Sequence, residues 1–282
     1  MDMTHELVAH FKLAKKVRNI FLELYVLLAI FYIVFPILLL IVTSFDSRGY
    51  IGDILSIIPS LRWYNEFIGS SFFINGILTS FFVGITATVL SLIVGLSFAY
   101  VIVRYDFPGK SILIETSMAP AVVPGVTLGF ALLYFFARLG SHLTILNIII
   151  AHLIITLPYA LRTLIATLEG FDISIEEAAL VLGATRLRAF LEVTLPNIKS
   201  GIIAAAIFSF AISLDDVAVT AFLTDVYTYT FPVALLTTFR RAISPIAAVG
   251  CSVLIVIALC MVCAIDKSYG LERFVGIYAR RS

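Results

Sequence analysis

Two adjacent carboxylates, Asp215 and Asp216, stand in an otherwise apolar run, Ala206-IFSFAISLDDVAVTAFL-Thr224. A charge at mid-membrane depth costs about 2.5–3.5 kcal/mol on insertion scales, so acidic residues in such a run face a polar interior and a partner. As a single helix, the run puts Ser209, Ser213, Asp216, Thr220 and Thr224 on one face, at steps of four, three, four and four. Asp215 falls instead among Phe208, Ala211, Ala218 and Phe222. A carboxylate on a polar line between low-dielectric walls attracts an amine strongly. The spacing therefore assigns Asp216, Ser213, Ser209 and Thr220 to a solute pathway. It assigns Asp215 to a basic or backbone partner at a helix or subunit contact. The competing reading makes both residues structural, as caps or salt-bridge partners.

Other residues offer less. Trp63, the only tryptophan, has an indole face suited to a cation, but a lone tryptophan also serves as an interfacial anchor. His152 reads as a proton relay or as a hydrogen-bonded core histidine. Cys260 and Cys263 form a CxxC by letter, yet with Cys251 they share one apolar stretch, where they pack as small side chains. Gly109-Lys110-Ser111 mimics the end of a phosphate-binding loop, but the glycine required five residues earlier is Arg104. On these residues the chain has no ATP site of its own and no catalytic or metal set.

The elements that hold these residues must be membrane helices. Of 282 residues 61% are hydrophobic and only 13% charged, with a mean hydropathy of +1.08. A soluble domain carries roughly a quarter charged residues. A net charge of +1 and the lack of a basic patch after an aromatic run give no sign of a nucleic-acid partner. The fold expected is all-α and polytopic. Six runs reach the roughly 20 apolar residues a span requires: Leu24–Thr43, Phe73–Val103, Ile112–Phe136, Thr144–Leu164, Gly201–Leu223 and Ile246–Ile265. The first follows Lys12, Lys15, Lys16 and Arg18, as in a signal peptide, but it is too long and lacks a small-x-small site, so it reads as an uncleaved helix.

With the N-terminus in the cytoplasm and six alternating spans, fourteen of the 19 basic residues lie inside. They include the N-terminal four, then Arg104, Lys110, Arg162, Arg186, Arg188 and Lys199, and finally Lys267, Arg273, Arg280 and Arg281. Arg48, Arg62, Arg138, Arg240 and Arg241 lie outside, and both termini are expected in the cytoplasm. Prolines interrupt several spans: Pro36, Pro120, Pro124 and Pro158. The third is the most broken, with two prolines followed by Gly125 and Gly129. Backbone freed there needs protein or a watery cavity to satisfy it, unless the break is a plain kink against a neighbour.

The largest inside loop, about residues 168–200, follows the fourth span. Ser174 and Glu177 make a capping box, Glu176 and Glu177 favour the first turn, and Gly183 suits the position after the last turn. Ile175, Ala178, Ala179 and Leu182 then form one apolar stripe whose central alanines admit another backbone closely. A second helical turn with Leu187, Phe190 and Leu191 is expected to stop at Leu195-Pro196. A helix lying on the membrane surface is the alternative to a protein-docking one.

The string Glu177-Ala178-Ala179-x3-Gly183-x9-Val193-x-Leu195-Pro196 resembles the EAA loop of ABC importer permeases, with valine in place of isoleucine. Six spans with this loop between the fourth and fifth resemble the type I importer permease over nearly the whole chain. That resemblance implies a single permease domain, 1–282, in a bacterial inner membrane, with Glu177, Ala178, Ala179, Gly183, Leu195 and Pro196 in the coupling element. It also implies partners: two copies of an ATP-binding subunit that hold ATP and Mg, a second, homologous permease chain, and an extracytoplasmic substrate-binding protein.

Ser213-LDDVAVTA-Phe222 and Trp63-Tyr64 are similar to the spermidine/putrescine branch of that family. Ala121 and Pro245-Ile246 stand where that branch has acidic residues. Fewer counter-charges suit a solute with one cationic group, such as an amino-acid derivative, an opine or an aminophosphonate. A self-contained channel or secondary carrier is the alternative of another class, and it would need no docking motif.

Overall fold

The computed structural model describes the backbone of residues 3–48, 58–241 and 244–269, and their side chains outside 3–14, 17 and 264–269. Arg273, Arg280 and Arg281, counted above for orientation, lie outside the described residues, as do the side chains of Lys12 and Lys267.

Among the described residues four helices are long and apolar enough to cross a membrane, or up to six if each of two bent helix pairs is one span. No strand occurs among the described residues. By their contacts the residues fall into two compact units, Met1–Phe67 with Ile243–Ser252, and Ile68–Ala242 with Val253–Ser282. The first holds α1 (Met3–Ser44) and most of α2 (Arg62–Gly69). The second holds the elements of both candidate sites. These are α3 (Ser71–Arg104), α4 (Lys110–Val122), α5 (Gly125–Arg138), α6 (Thr144–Glu169), α7 (Ile173–Val181), α8 (Arg186–Ala189), α9 (Leu195–Asn197), α10 (Lys199–Asp215) and α11 (Phe231–Arg241). Helix α12 (Pro245–Tyr269) begins in the first unit and ends in the second.

Helices α3, α6 and α10 form the heart of the second unit. The buried face of α3 is mostly small: Gly76, Ser80, Gly84, Ala87, Ser91, Gly95 and Ala99. In lipid, where apolar surface alone does not drive association, such seams let helix backbones approach and pack. The closest approach joins α6 to the start of α10. A Cβ on Gly201 would lie 2.6 Å from the Thr167 Cβ, and closer still to its hydroxyl and methyl. Overpacking costs about 1–3 kcal/mol, and here the colliding atom is no flexible tip. Gly201→Ala is therefore expected to lower the yield of folded protein several-fold, and Thr167→Gly in the same chain to restore part of it. Full yield from Gly201→Ala would contradict this packing.

The proline-rich third span breaks between α4 and α5, which meet at 104°. Val123 is extended, as the residue before a proline tends to be, and Pro124 starts α5 without a donor to spare. Pro36, Pro120 and Pro158 lie inside helices that continue through them.

The fifth span departs from expectation. No single helix runs from Gly201 to Leu223: α10 ends at Asp215, and a 3₁₀ turn follows at Thr220–Phe222. Asp216 is the cause. Its backbone is extended (φ −68°, ψ 124°), and its carboxylate accepts from the Val219 amide at 3.3 Å and the Thr220 amide at 2.9 Å. A short acidic side chain that captures backbone donors caps a new turn and ends the old helix.

Candidate functional site

The two broken spans meet. A Cβ on Gly125 would lie 2.9 Å from Ala218 Cβ, and one on Gly129 would lie 2.8 Å from the Phe222 ring and 2.9 Å from Val219 Cα. Gly125 and Gly129, one turn apart, thus seat the first turn of α5 on the turn that Asp216 caps. Discontinuous helices that place freed backbone inside a membrane protein are a recurring setting for solute sites.

Three residues of the expected polar line, Ser213, Asp216 and Thr220, are joined by a different geometry. His152 of α6 is buried, with Nδ1 2.6 Å from Ser213 Oγ and Nε2 2.8 Å from Thr220 Oγ1. Thr220 Oγ1 in turn donates to Asp216 Oδ2 at 2.6 Å. Ser213 and Thr220 are therefore buried network members, while Asp216 is half-buried and keeps accessible surface. Ser209 stays outside the network: its buried hydroxyl has no partner among the described residues. His152 is the hydrogen-bonded core histidine of the two readings. Asp215 is exposed, with no hydrogen bond or ion pair among the described residues. It borders an apolar groove of about 730 Å³ whose walls include Phe208, Leu235, Phe239 and Met261.

The loop after α6 forms a second site. Asp172, and not Ser174, caps α7, accepting from the Ser174 amide at 3.0 Å. That bond holds its carboxyl below the ordinary aspartate value. The helix consequently starts at Ile173, and no Ser174–Glu177 box forms. Gly183 follows the last turn with φ +92°, a conformation other residues rarely adopt. Its amide donates to the Leu180 carbonyl, and that of Ala184 to the Ala179 carbonyl, both at 3.0 Å, closing a Schellman motif.

The stripe on α7 faces outward: Ala178 is exposed, Ala179 half-buried, and Leu182 89% exposed. Beyond it, Leu195-Pro196 does not stop the chain. A π-helical turn, Phe190–Thr194, widens just before the proline and leads into α9.

The two glutamates of α7 point different ways. Glu177 is exposed, whereas Glu176 is buried under three donors: Tyr100 Oη at 2.5 Å, Thr194 Oγ1 at 2.7 Å and Arg104 Nη2 at 3.2 Å. Burial pushes the Glu176 carboxyl up, but the hydrogen bonds from Tyr100 and Thr194 and the Arg104 charge outweigh it and hold it below the ordinary value. One carboxylate so ties α7 to the end of α3 and to the π turn.

The family model for the binding-protein-dependent transport system inner membrane component matches residues 91–267, which contain both sites. The chain belongs to this family. The permease is 28% identical over 231 residues to the spermidine/putrescine permease protein PotC of Haemophilus influenzae, covering 82% of this chain and 89% of that one. It is 30% identical over 226 residues to the putrescine permease protein PotI of Escherichia coli, covering 78% and 80%. A solved bacterial ABC transporter involved in import of the acidic polysaccharide alginate superposes with a TM-score of 0.70 at 15% identity, covering 91% of the permease and 97% of that chain.

Trp63 of the permease lies in the other compact unit, outside the family match. Its indole N–H donates to the Arg48 carbonyl at 3.1 Å, and the Arg62 guanidinium sits 4.8 Å from its ring. One cation therefore already occupies the indole. The residue that sequence reasoning missed in the permease is Glu176. Tyr100 and Arg104, one turn apart at the end of α3, were the available hint of a carboxylate partner, but that partner lies more than 70 residues away.

Glu176→Ala would leave Arg104 buried without its counter-charge, a loss of about 3–5 kcal/mol in comparable pairs. The expected result is a permease that inserts but whose loop between α6 and α10 is cut rapidly by protease; wild-type resistance would contradict the anchor. The same anchor is pH-dependent in one direction. With its folded value depressed, it contributes fully above the ordinary glutamate value of about 4.3 and is lost as pH falls through the lower folded value.

Proposed function

We propose that this permease carries a small amine-bearing solute inward across the bacterial inner membrane, driven by ATP hydrolysis on separate subunits. Asp216 carries the solute reading: a half-buried carboxylate with open surface, at the junction of two broken spans. The permeases of spermidine and putrescine systems among its relatives support an amine. Ala121 and Ile246 favour few positive charges, so a monocationic solute such as an amino-acid derivative, opine or aminophosphonate fits beside the polyamines.

The coupling reading rests on α7. Glu177, Ala178, Ala179 and Gly183 present an apolar helix to a cleft of the ATPase subunit, with Leu195 and Pro196 at the base of the loop. Two ATPase subunits, which hold ATP and Mg, serve this permease and a second, homologous permease chain. A binding protein delivers the solute from outside. The distribution of basic residues supports a cytoplasmic side for α7 and both termini, so a reporter active only outside the cytoplasm should be silent when fused after Ser282; activity there reverses the orientation.

The solute is tested on the binding protein encoded beside this permease. Putrescine, spermidine, 2-aminoethylphosphonate and an opine are titrated against it by calorimetry. Binding of at least one amine is expected. Binding only of anions or neutral sugars would overturn the amine reading.

A further inference from the structure

We infer that His152 is a positioning residue for Asp216. It holds the carboxylate through a one-way chain of hydrogen bonds, Ser213 to His152 to Thr220 to Asp216. The inference rests on the reading of Asp216 as a solute contact.

The direction of the chain follows from proton counting. A threonine hydroxyl has one proton, and that of Thr220 goes to Asp216 Oδ2 at 2.6 Å. Toward His152 the same oxygen can only accept, so Nε2 carries the ring proton in the 2.8 Å contact. In that tautomer Nδ1 has a free lone pair, and Ser213 Oγ, 2.6 Å away, donates to it. The ring therefore bridges the last turn of α10 to the turn beyond the break. The backbone of His152 is itself braced: Thr156 Oγ1 donates to its carbonyl at 2.7 Å and lies 2.6 Å from Ser91 Oγ on α3. Both ring nitrogens and the Ser213 and Thr220 hydroxyls are buried. Removing the imidazole takes from the buried Ser213 hydroxyl its acceptor and from the buried Thr220 oxygen its donor, leaving Thr220 only its bond to Asp216 at the base of the turn that aims that carboxylate.

His152→Phe keeps a ring and removes both nitrogens, and His152→Gln keeps one donor and one acceptor. Putrescine uptake is measured in proteoliposomes containing the complete complex, with the amount of assembled complex scored in parallel. His152→Phe is expected to raise the half-saturating putrescine concentration at least tenfold, and His152→Gln to recover much of that loss. Combining His152→Phe with Asp216→Asn should add less than twofold to the defect of Asp216→Asn alone, because the first change acts through the second residue. A full additive effect contradicts positioning.

The ring is also read directly. In the 15N spectrum of histidine-labelled complex, the signals missing from His152→Gln should report a protonated Nε2 and an unprotonated Nδ1. A protonated Nδ1 overturns the chain even if His152→Phe fails to assemble. Normal uptake by Asp216→Asn overturns the solute reading and the positioning role together. A defective Asp216→Asn with additive effects or the wrong tautomer overturns the positioning role alone.

Discussion

Asp216→Asn is expected to slow solute uptake roughly 10- to 100-fold, the range spanned by about 1.5–3 kcal/mol for a hydrogen bond to a charged group. Asparagine keeps one acceptor oxygen for the Thr220 amide and loses the longer 3.3 Å bond from Val219, so the bend after Asp215 should persist and complex yield should stay near wild type. Asp215→Asn is expected to act the other way. That carboxylate is exposed beside an apolar groove, with no partner among the described residues. If a basic group of the second permease pairs with it, the loss appears as reduced complex yield, with uptake per complex unchanged. The measurement is paired uptake and yield for both variants. Normal uptake in Asp216→Asn, or a transport-only defect in Asp215→Asn, refutes this division of roles.

A larger effect is expected at α7. Ala178→Trp puts an indole on the exposed stripe proposed as the ATPase contact. Gly183→Val forces a β-branched residue to φ +92°, a genuine outlier for that side chain. Either change should lower uptake and solute-stimulated ATP hydrolysis at least tenfold, while the membrane helices, whose packing neither residue enters, remain folded. Both activities at wild-type level would sink the docking role. Glu176→Ala should resemble these variants in uptake for a different reason. Its α7 surface is intact, but the helix is no longer tied to Tyr100 and Arg104 of α3.

The helical spans were legible in the sequence because lipid imposes a length and a composition on each of them. The loop after α6 was legible because its signals are local: the alanine pair, and a glycine that the left-handed turn after α7 requires. What escaped was competition between local signals, and contact at a distance. Asp172 and Ser174 both suit a helix start, and the aspartate won by bonding the amide two residues on. A period of 3.6 read through Asp216 as if the helix continued, although an aspartate that captures the amides of Val219 and Thr220 ends it. Ser213, Thr220 and Asp216 of the expected line nevertheless met, because His152, 61 residues before Ser213, supplies the bridge that the missing helical turns would have given. Glu176 and Glu177 look alike in sequence, and only the packing of Tyr100, Arg104 and Thr194 turns one inward.

Uptake of labelled putrescine, or of whichever amine the binding protein selects, by proteoliposomes of defined composition tests the central claim most directly. Vesicles holding this permease with its partner permease, the ATPase and the binding protein should accumulate solute only when ATP is supplied to the α7 side and the binding protein to the other. Vesicles holding this chain alone should accumulate none. ATP-independent transport by the chain alone would contradict the account and identify a self-contained carrier or channel.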